Sequence, residues 1–340
     1  MQTNEQIRYY DPTQKPFSVY GVFVPDEAEP LYRRMPAAAA RAVSEGVEWL
    51  CRNTSGGRIR LRTDARRLYL KAVFPGTVSM EHFAQSGVTG FSVYAEKDGQ
   101  DTFCGILAAD RQTELEGSVD LLTDGMKTVT VYMPLYNNVE TVRIGFDASA
   151  AVLPDSGYGC DKPVVFYGSS ITQGGCASRA GSDYAAILSR RLNFDYINLG
   201  FSGNAKGERA MADYICTLPM QAFVMDYDHN APTPEHLRQT HEPFFRVIRR
   251  AHPDLPVLFL SRPCSAADAD SRARFAIIRQ TYENARESGD KNVYLIDGST
   301  FFADAVGLND PTVDRVHPTD LGFYLMAKAI EPCLARMLQK

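Results

Sequence analysis

The fold is decided by one stretch in the middle of the chain, Val164-Val165-Phe166-Tyr167-Gly168-Ser169-Ser170-Ile171-Thr172-Gln173-Gly174. Its β-branched and aromatic residues predict a buried parallel strand, and the small residues after them let the backbone turn sharply into a helix. Ser170 is thereby placed at the carboxyl end of the strand. Ligands of open α/β sheets bind in the crevice outside those ends, so the Ser170 hydroxyl can meet a substrate. Taken alone, the stretch is equally typical of a serine that caps a helix.

Apolar strands alternate with amphipathic helices throughout the second half of the chain. This alternation predicts a parallel sheet with helices on both faces. The predicted strands are 164–167, 196–199, 222–225, 257–260 and 293–296. Two of the predicted helices carry apolar stripes at helical spacing, formed by Tyr184, Ile187, Leu188 and Leu192 in one and by Phe323, Met326, Ala327, Ile330, Leu334 and Met337 in the other.

The part of the chain before residue 150 alternates apolar and polar residues instead. Short strands that each have one apolar face predict two packed antiparallel sheets, an all-β sandwich or jelly roll. One helix is predicted over residues 37–50, and Trp49, the sole tryptophan, lies near its end. The breakers in 153–159 mark a boundary between domains at 1–153 and 154–340. The predicted strands are 18–24, 58–62, 68–73, 91–95, 102–107, 128–133 and 142–146.

Composition excludes several classes of protein. A hydrophobic fraction of 44% and a charged fraction of 23% are ordinary for a soluble globular chain. The net charge of −5 and pI near 5.7 argue against a nucleic-acid partner. No run of about 18 apolar residues occurs, so no membrane span is expected. The polar N-terminus, residues 1–6, lacks the apolar core of a signal peptide, which favours a cytoplasmic protein.

The seven cysteines are scattered singly along the chain, without a Cys-x-x-Cys pair. An odd, dispersed set predicts reduced thiols rather than a disulfide framework or a zinc site. Cys176, six residues after Ser170, is a candidate for lining the pocket. We expect neither a metal nor a cofactor, and the sequence leaves open whether the chain forms a homo-oligomer.

Four segments in order resemble the four sequence blocks of the SGNH hydrolases, also called the GDSL esterase family. The resemblance covers about the second half of the chain and implies a flavodoxin-like three-layer domain with a five-stranded parallel sheet. A sandwich ahead of such a domain is similar to the layout of certain carbohydrate esterases. The four blocks are Gly168-Ser169-Ser170-Ile171-Thr172, Asn198-Leu199-Gly200-Phe201-Ser202-Gly203-Asn204, Asp228-His229-Asn230 and Asp314-Arg315-Val316-His317-Pro318.

The chemistry of acyl transfer gives these residues their expected roles. A serine hydroxyl needs a base to remove its proton, and histidine, with an ordinary pKa of about 6.5, suits that task. Asp314 precedes His317 by three residues, close enough to bond the ring nitrogen distal to Ser170. The resemblance implies a triad of Ser170, His317 and Asp314. It also implies an oxyanion hole made by the amides of Ser170 and Gly203 and the side chain of Asn230.

The chain departs from the family pattern at two positions. Ser169 stands where the family more often has aspartate, and Asp228 stands where it has glycine. The second departure bears on the loop that aims Asn230. No Gly-x-Ser-x-Gly elbow occurs, which argues against the common α/β-hydrolase arrangement.

Loop composition predicts the class of substrate. The loops 174–179, 204–207 and 263–268 are small and polar, so they leave little room for a long acyl chain. We therefore expect a serine esterase that acts on acetyl or other small acyl esters of a sugar or similar polar alcohol. Arg179 and Arg262 are candidate contacts to that alcohol. A lipase, a thioesterase or an acyltransferase would use the same triad.

Two hypotheses of other classes stay open at this stage. The carboxylates and imidazole of 226–230 suggest a metal-dependent phosphoesterase, although no second ligand cluster such as His-x-His occurs. Alternatively, the sandwich is a carbohydrate-binding module and the hydrolase domain is inert. The aromatic candidates for such a module are Tyr9, Tyr10, Tyr20 and Tyr32.

Overall fold

The computed structural model describes residues 6–263, 268–303, 305, 307 and 310–339. Residues 1–5 of the polar N-terminus and residues 264–267 of the third polar loop lie outside this description. The chain divides into two compact units. The first contains Met1–Arg34, Arg52–Gly157 and Ser178–Gly181, and the second contains Met35–Cys51, Tyr158–Ala177 and Ser182–Lys340.

Strands β1 to β10 belong to the first unit and β11 to β15 to the second. The strands are β1 (Ile7–Tyr10), β2 (Ser18–Tyr20), β3 (Arg58–Thr63), β4 (Arg67–Val73), β5 (Phe91–Lys97), β6 (Gln100–Leu107), β7 (Glu114–Asp120), β8 (Lys127–Tyr132), β9 (Thr141–Asp147), β10 (Val152–Leu153), β11 (Val164–Gly168), β12 (Tyr196–Gly200), β13 (Ala222–Asp226), β14 (Val257–Leu260) and β15 (Val293–Ile296).

Most helices lie in the second unit. They are α1 (Ala37–Val43), α2 (Glu45–Leu50), α3 (Gln85–Val88), α4 (Ser170–Gln173), α5 (Tyr184–Leu192), α6 (Arg209–Ile215), α7 (Pro234–Ala251), α8 (Ala269–Glu287) and α9 (Asp320–Met337), with 3₁₀ turns at Asp228–Asn230 and Gly298–Thr300. No helix in the described parts of the chain is both long enough and apolar enough to cross a membrane.

The first unit is built from antiparallel sheets, as the alternating pattern predicts. Within the described residues, one sheet has the strand order β1-β9-β4-β7, and the other has the order β10-β3-β8-β5-β6 with β2 beside β3. Apolar residues from both sheets, such as Leu68 and Leu70 of β4 and Ile59 and Leu61 of β3, share one buried core. Alternate residues of a strand point to opposite faces, so each sheet contributes one apolar face.

Three strands of this unit, β1, β7 and β10, are missing from the sequence prediction. The clearest case is β7, an edge strand whose Glu114, Glu116 and Asp120 are exposed. Charged side chains on an edge strand hinder pairing with other molecules. Leu115 and Val119 are the only apolar side chains at its less exposed positions, since the third is Gly117, so the alternation by which a strand is predicted is weak.

The described part of the second unit holds a five-stranded, fully parallel sheet in the order β12-β11-β13-β14-β15. All five strands match the predicted ones to within one residue. Gly168 at the end of β11 lies beside Gly200 of β12 and Asp226 of β13. The segments that follow these strands therefore leave the sheet at one edge, which is where such folds bind ligands.

Helices cover both faces of this sheet. Val165 and Tyr167 of β11 share a core with residues of α1, α2, α6, α7 and α8. Phe166 points to the other face, where its ring meets Tyr184 of α5 edge-on at 5.7 Å between centroids, and α5 packs against α9. This arrangement confirms the predicted flavodoxin-like three-layer domain.

The helical segment near the start of the chain packs within the second unit. Met35 and Val47 are fully buried in the same core as Met211 of α6, and α1 packs against α6. The predicted single helix over 37–50 is two helices, because Ser44 is extended and its hydroxyl accepts a hydrogen bond from the Val47 amide at 3.1 Å. A serine in that role begins a new helix.

Candidate active site

Ser170 lies at the sharp turn from β11 into α4. The preceding residue, Ser169, caps α4 by accepting a hydrogen bond from the Ile171 amide at 3.1 Å. The helix-capping role that the sequence allows for a serine here therefore falls on Ser169. Ser170 is the first residue of the helix and only 6% exposed, and its Oγ lies 2.8 Å from Nε2 of His317.

One carboxylate fixes both the backbone and the ring of the loop that carries His317. Oδ1 of Asp314 accepts hydrogen bonds from the amides of Val316 at 3.0 Å and His317 at 2.8 Å. Its Oδ2 lies 2.8 Å from Nδ1 of the His317 ring. The structure thus brings the three predicted side chains into one hydrogen-bonded series.

The protonation of this series follows from its electrostatics. Burial raises the pKa of Asp314, but hydrogen bonds from the His317 amide and ring outweigh that effect and lower it to about 2. An ionised carboxylate can only accept hydrogen bonds, so Nδ1 of His317 must carry a proton. In the neutral ring, the lone pair of Nε2 then faces the Ser170 hydroxyl.

His229, the other histidine of the four blocks, has a strongly lowered pKa. Burial, followed by the positive charges of Arg262, His317 and Arg274, lowers its pKa to about 4. It is therefore neutral near pH 7, and no hydrogen bond joins it to Ser170 in the described structure.

The two further oxyanion donors predicted from the blocks lie on the loops after β12 and β13. Gly203 has φ of +68°, a conformation that suits glycine, and a Cβ built there would meet nothing within 4 Å. Asn230 lies in the 3₁₀ turn after β13, and its Nδ2 donates to the Phe201 carbonyl at 2.8 Å. A primary amide has a second N–H, which remains available to a ligand.

The second block also ties the nucleophile helix to its neighbour, which sequence reasoning missed. Nδ2 of Asn198 donates to the Thr172 carbonyl at 2.7 Å, and Oε1 of Gln173 accepts from the Ser202 amide at 3.0 Å. Gly200 permits the close approach, since a Cβ there would lie 2.2 Å from the Gln173 nitrogen. An asparagine inside an otherwise apolar strand was the available signal.

The two carboxyl groups at the end of β13 accept hydrogen bonds through their Oδ2 atoms. Oδ2 of Asp226 accepts from the hydroxyls of Thr172 at 3.0 Å and Tyr184 at 2.9 Å. Oδ2 of Asp228 accepts from the Arg262 amide at 3.2 Å. Within the described residues, Asp226, Asp228 and His229 do not converge into a group of three ligand atoms, so the geometry does not favour the metal-site hypothesis.

The remaining candidate residues have local partners. The Arg179 guanidinium lies 4.3 Å from the centroid of the Phe103 ring, and both residues belong to the first unit. The Arg262 side chain donates to Asp270 at 2.7 Å. Cys176 is buried, and burial followed by the charge of Asp314 raises its thiol pKa to about 12. The thiol is therefore protonated near this carboxylate.

Comparison with family models defines the class of protein that this fold and site belong to. Residues 7–152 match the GxDLY family, the N-terminus of esterases of the SGNH-hydrolase type. Residues 161–335 match the GDSL-like Lipase/Acylhydrolase family. The protein is thus an ester hydrolase of the GDSL/SGNH type. The second match spans more than half of the chain, so the chain belongs to the GDSL-like lipase/acylhydrolase family.

Several solved structures share both units. One, named for a GDSL-like lipase of Bacteroides ovatus, has 26% identity and a TM-score of 0.86 over 98% of both chains. A salicylyl-acyltransferase, SsfX3, from a tetracycline biosynthetic pathway has 22% identity and a TM-score of 0.77 over 97% of both. An acetyl xylan esterase from Butyrivibrio proteoclasticus has 12% identity and a TM-score of 0.58 over 98% of this chain and 99% of its own. No curated protein sequence matches.

Proposed function

We propose that this protein is a serine esterase that hydrolyses small acyl esters, chiefly acetyl esters, of a carbohydrate or similar polar alcohol. One observation carries the proposal: Ser170 Oγ lies 2.8 Å from Nε2 of His317, whose Nδ1 lies 2.8 Å from Asp314. A nucleophile, a base and a group that orients the base stand in the required order.

The reaction proceeds in two halves. Nε2 of His317 takes the proton as Ser170 Oγ attacks the ester carbonyl, and the same nitrogen returns it to the departing alcohol oxygen. Asp314 holds the ring and stabilises the imidazolium. Water, activated by His317, then attacks the acyl-enzyme and releases the acid and free Ser170.

The negative charge that develops on the carbonyl oxygen needs fixed donors. The Ser170 amide at the start of α4, the Gly203 amide and the second N–H of Asn230 fill this role in our proposal. In the described chain, neither the Gly203 amide nor that second N–H has an acceptor. Such donors are free to bind an oxyanion without first breaking another hydrogen bond.

The substrate class rests on the loops after the strands. Cys176 and Ala177 after α4 are small and buried, and Asn204 and Lys206 after β12 are polar. Polar walls suit a hydroxylated alcohol and do not provide the extended apolar lining that a long acyl chain needs. Contact of Arg179 and Arg262 with that alcohol stays a prediction, and Arg262 would have to give up hydrogen bonds to make it.

Kinetics with Ser170→Ala test the mechanism. We expect turnover to fall by roughly three orders of magnitude or more, while Ser288→Ala, which removes an exposed hydroxyl at the end of α8, leaves it unchanged. An organophosphate probe should label the wild-type protein and not Ser170→Ala. Near-wild-type activity in Ser170→Ala would disprove the assignment.

A substrate panel tests the substrate class. Nitrophenyl esters from acetyl to decanoyl, together with acetylated oligosaccharides, should give the highest kcat/KM for acetyl esters and release acetate from the sugars. A kcat/KM that climbs towards decanoyl, with no acetate release, would favour a lipase or thioesterase. Ester products formed with added alcohols would instead indicate an acyltransferase.

A further inference from the structure

The turn that carries Asn230 accepts two hydrogen bonds from one arginine side chain. Nη1 of Arg274, on α8, donates to the carbonyl oxygens of Asp228 at 2.7 Å and Ala231 at 2.8 Å. These two carbonyls lie on either side of Asn230. The guanidinium therefore spans the turn and restricts both of its ends.

Arg274 is in turn fixed by a closed series of hydrogen bonds. Its Nε donates to Oδ2 of Asp270 at 2.7 Å, and the same oxygen accepts from Nη2 of Arg262 at 2.7 Å. The backbone amide of Arg262 donates to Oδ2 of Asp228 at 3.2 Å. The series thus returns to the turn at which it began, and we refer to Asp228, Arg262, Asp270 and Arg274 as the turn clamp.

Two members of the turn clamp are deeply buried. Arg274 is 5% exposed and Asp228 is 1% exposed, and charged groups are so deeply buried only when they are paired and hydrogen-bonded. A planar guanidinium also presents its donors in a fixed fork. Asp228 supplies the carboxylate that closes the clamp, at the position where the SGNH pattern has glycine.

We propose that Arg274 is a positioning residue for the reaction, since the turn clamp sets the direction in which the Asn230 side chain donates to the oxyanion. This inference rests on the proposed function. It also gives Arg262 a structural task. Because the oxyanion exists only in the transition state and the intermediates, loosening the clamp should lower kcat and leave KM nearly unchanged.

Asp270→Ala is the most direct test, because the Asp270 side chain is 43% exposed and its loss leaves no buried cavity. We expect kcat to fall by roughly tenfold or more with KM within about twofold, since losing an oxyanion donor outright costs about 10²–10³ in kcat. Glu283→Ala is the matched control. It also removes the acid of an Arg–acid pair four residues apart on α8, at 46% exposure, but it lies outside the clamp. It should retain wild-type kcat.

A double-mutant cycle separates positioning from general damage. Asn230→Ala should lower kcat, and adding Asp270→Ala to it should lower kcat no further, because the donor that the clamp aims is already gone. Additive losses, or wild-type kcat in either single variant, would overturn the inference. Affinity for a trifluoromethyl ketone that forms a tetrahedral adduct with Ser170 should fall in parallel with kcat/KM in Asp270→Ala.

One further variant separates the shape of the Arg274 guanidinium from its charge. Arg274→Lys keeps the charge and loses the fork, so it should share the kcat defect and unfold near the wild-type temperature; wild-type kcat in this variant would refute the role of the fork. Failure of the proposed function is recognised separately. In that case Ser170→Ala is active, whereas failure of the positioning role alone leaves Ser170→Ala inactive and Asp270→Ala fully active.

Discussion

Asp314 controls both the direction and the protonation of the His317 ring. Its pKa of about 2 keeps it ionised wherever a histidine titrates, and the neighbouring His229, with a pKa of about 4, is already neutral there. His317 is the ring that Asp314 orients towards Ser170. This residue must be neutral to accept the proton of Ser170.

We therefore expect turnover to depend on the Asp314 carboxylate. Asp314→Asn should lower kcat/KM by roughly two to four orders of magnitude, because an amide no longer enforces the tautomer that leaves Nε2 free. Asp213→Asn, which breaks an exposed ion pair with Arg209, serves as the control. Wild-type kcat/KM in Asp314→Asn would contradict this role of the carboxylate.

At the scale of single residues, the sequence predicts contacts between residues that lie close together along the chain. Asp314 and His317 are three positions apart, and the structure joins them directly. Arg274 contacts the Asp228 carbonyl across 46 positions, and nothing near it in the chain signals that contact. The four-residue spacing between Asp270 and Arg274 on α8 is equally typical of a surface cation paired with an acid.

At the scale of elements, β13 is joined to α4 and α5 by one buried acid. Asp226 accepts hydrogen bonds from Thr172 of α4 and Tyr184 of α5. Burial, and then the charge of Asp228, raise its pKa to about 8 from an ordinary 3.8. The folded protein thus binds a proton at neutral pH that the unfolded chain has released.

Stability should consequently fall as pH rises towards 8, since the folded state then binds more protons than the unfolded state. The window from about pH 7.5 to 8.5 isolates Asp226, because Asp228 titrates at about 6 and the buried His229 and His241, whose pKa in the unfolded chain is about 6.5, no longer change stability above about pH 7.5. Asp226→Asn keeps an oxygen acceptor but cannot titrate, so its melting temperature should change less across this window. An equal slope in wild type and variant would refute the assignment.

Element prediction succeeds where packing and periodicity agree. The strands of the parallel sheet are buried on both faces and read as apolar runs, as the fully buried β11 and β13 do. The exposed edge strand β7 gives no such pattern. The break between α1 and α2 depends on the extended backbone of Ser44, which apolar spacing does not reveal.

At the scale of the whole molecule, the order of segments along the chain differs from the way they are divided between the two units. α2 precedes the strands of the first unit from β3 onward, yet Val47 lies in the core of the second unit. Helix α2 carries Trp49, the sole tryptophan, which is 61% exposed. Its fluorescence is therefore a natural reporter of the unit that contains Ser170.

We expect the change in Trp49 fluorescence and the loss of esterase activity to occur at the same denaturant concentration. Met35→Ala should shift both transitions to lower denaturant, because removing this fully buried side chain from the core of the second unit costs about 2–5 kcal/mol. Met133→Ala is the matched control, since Met133 is equally buried in the core of the first unit; it should move the Trp49 transition less. If the Trp49 transition shifted in Met133→Ala and did not shift in Met35→Ala, the segment around α1 and α2 would not be part of the catalytic core.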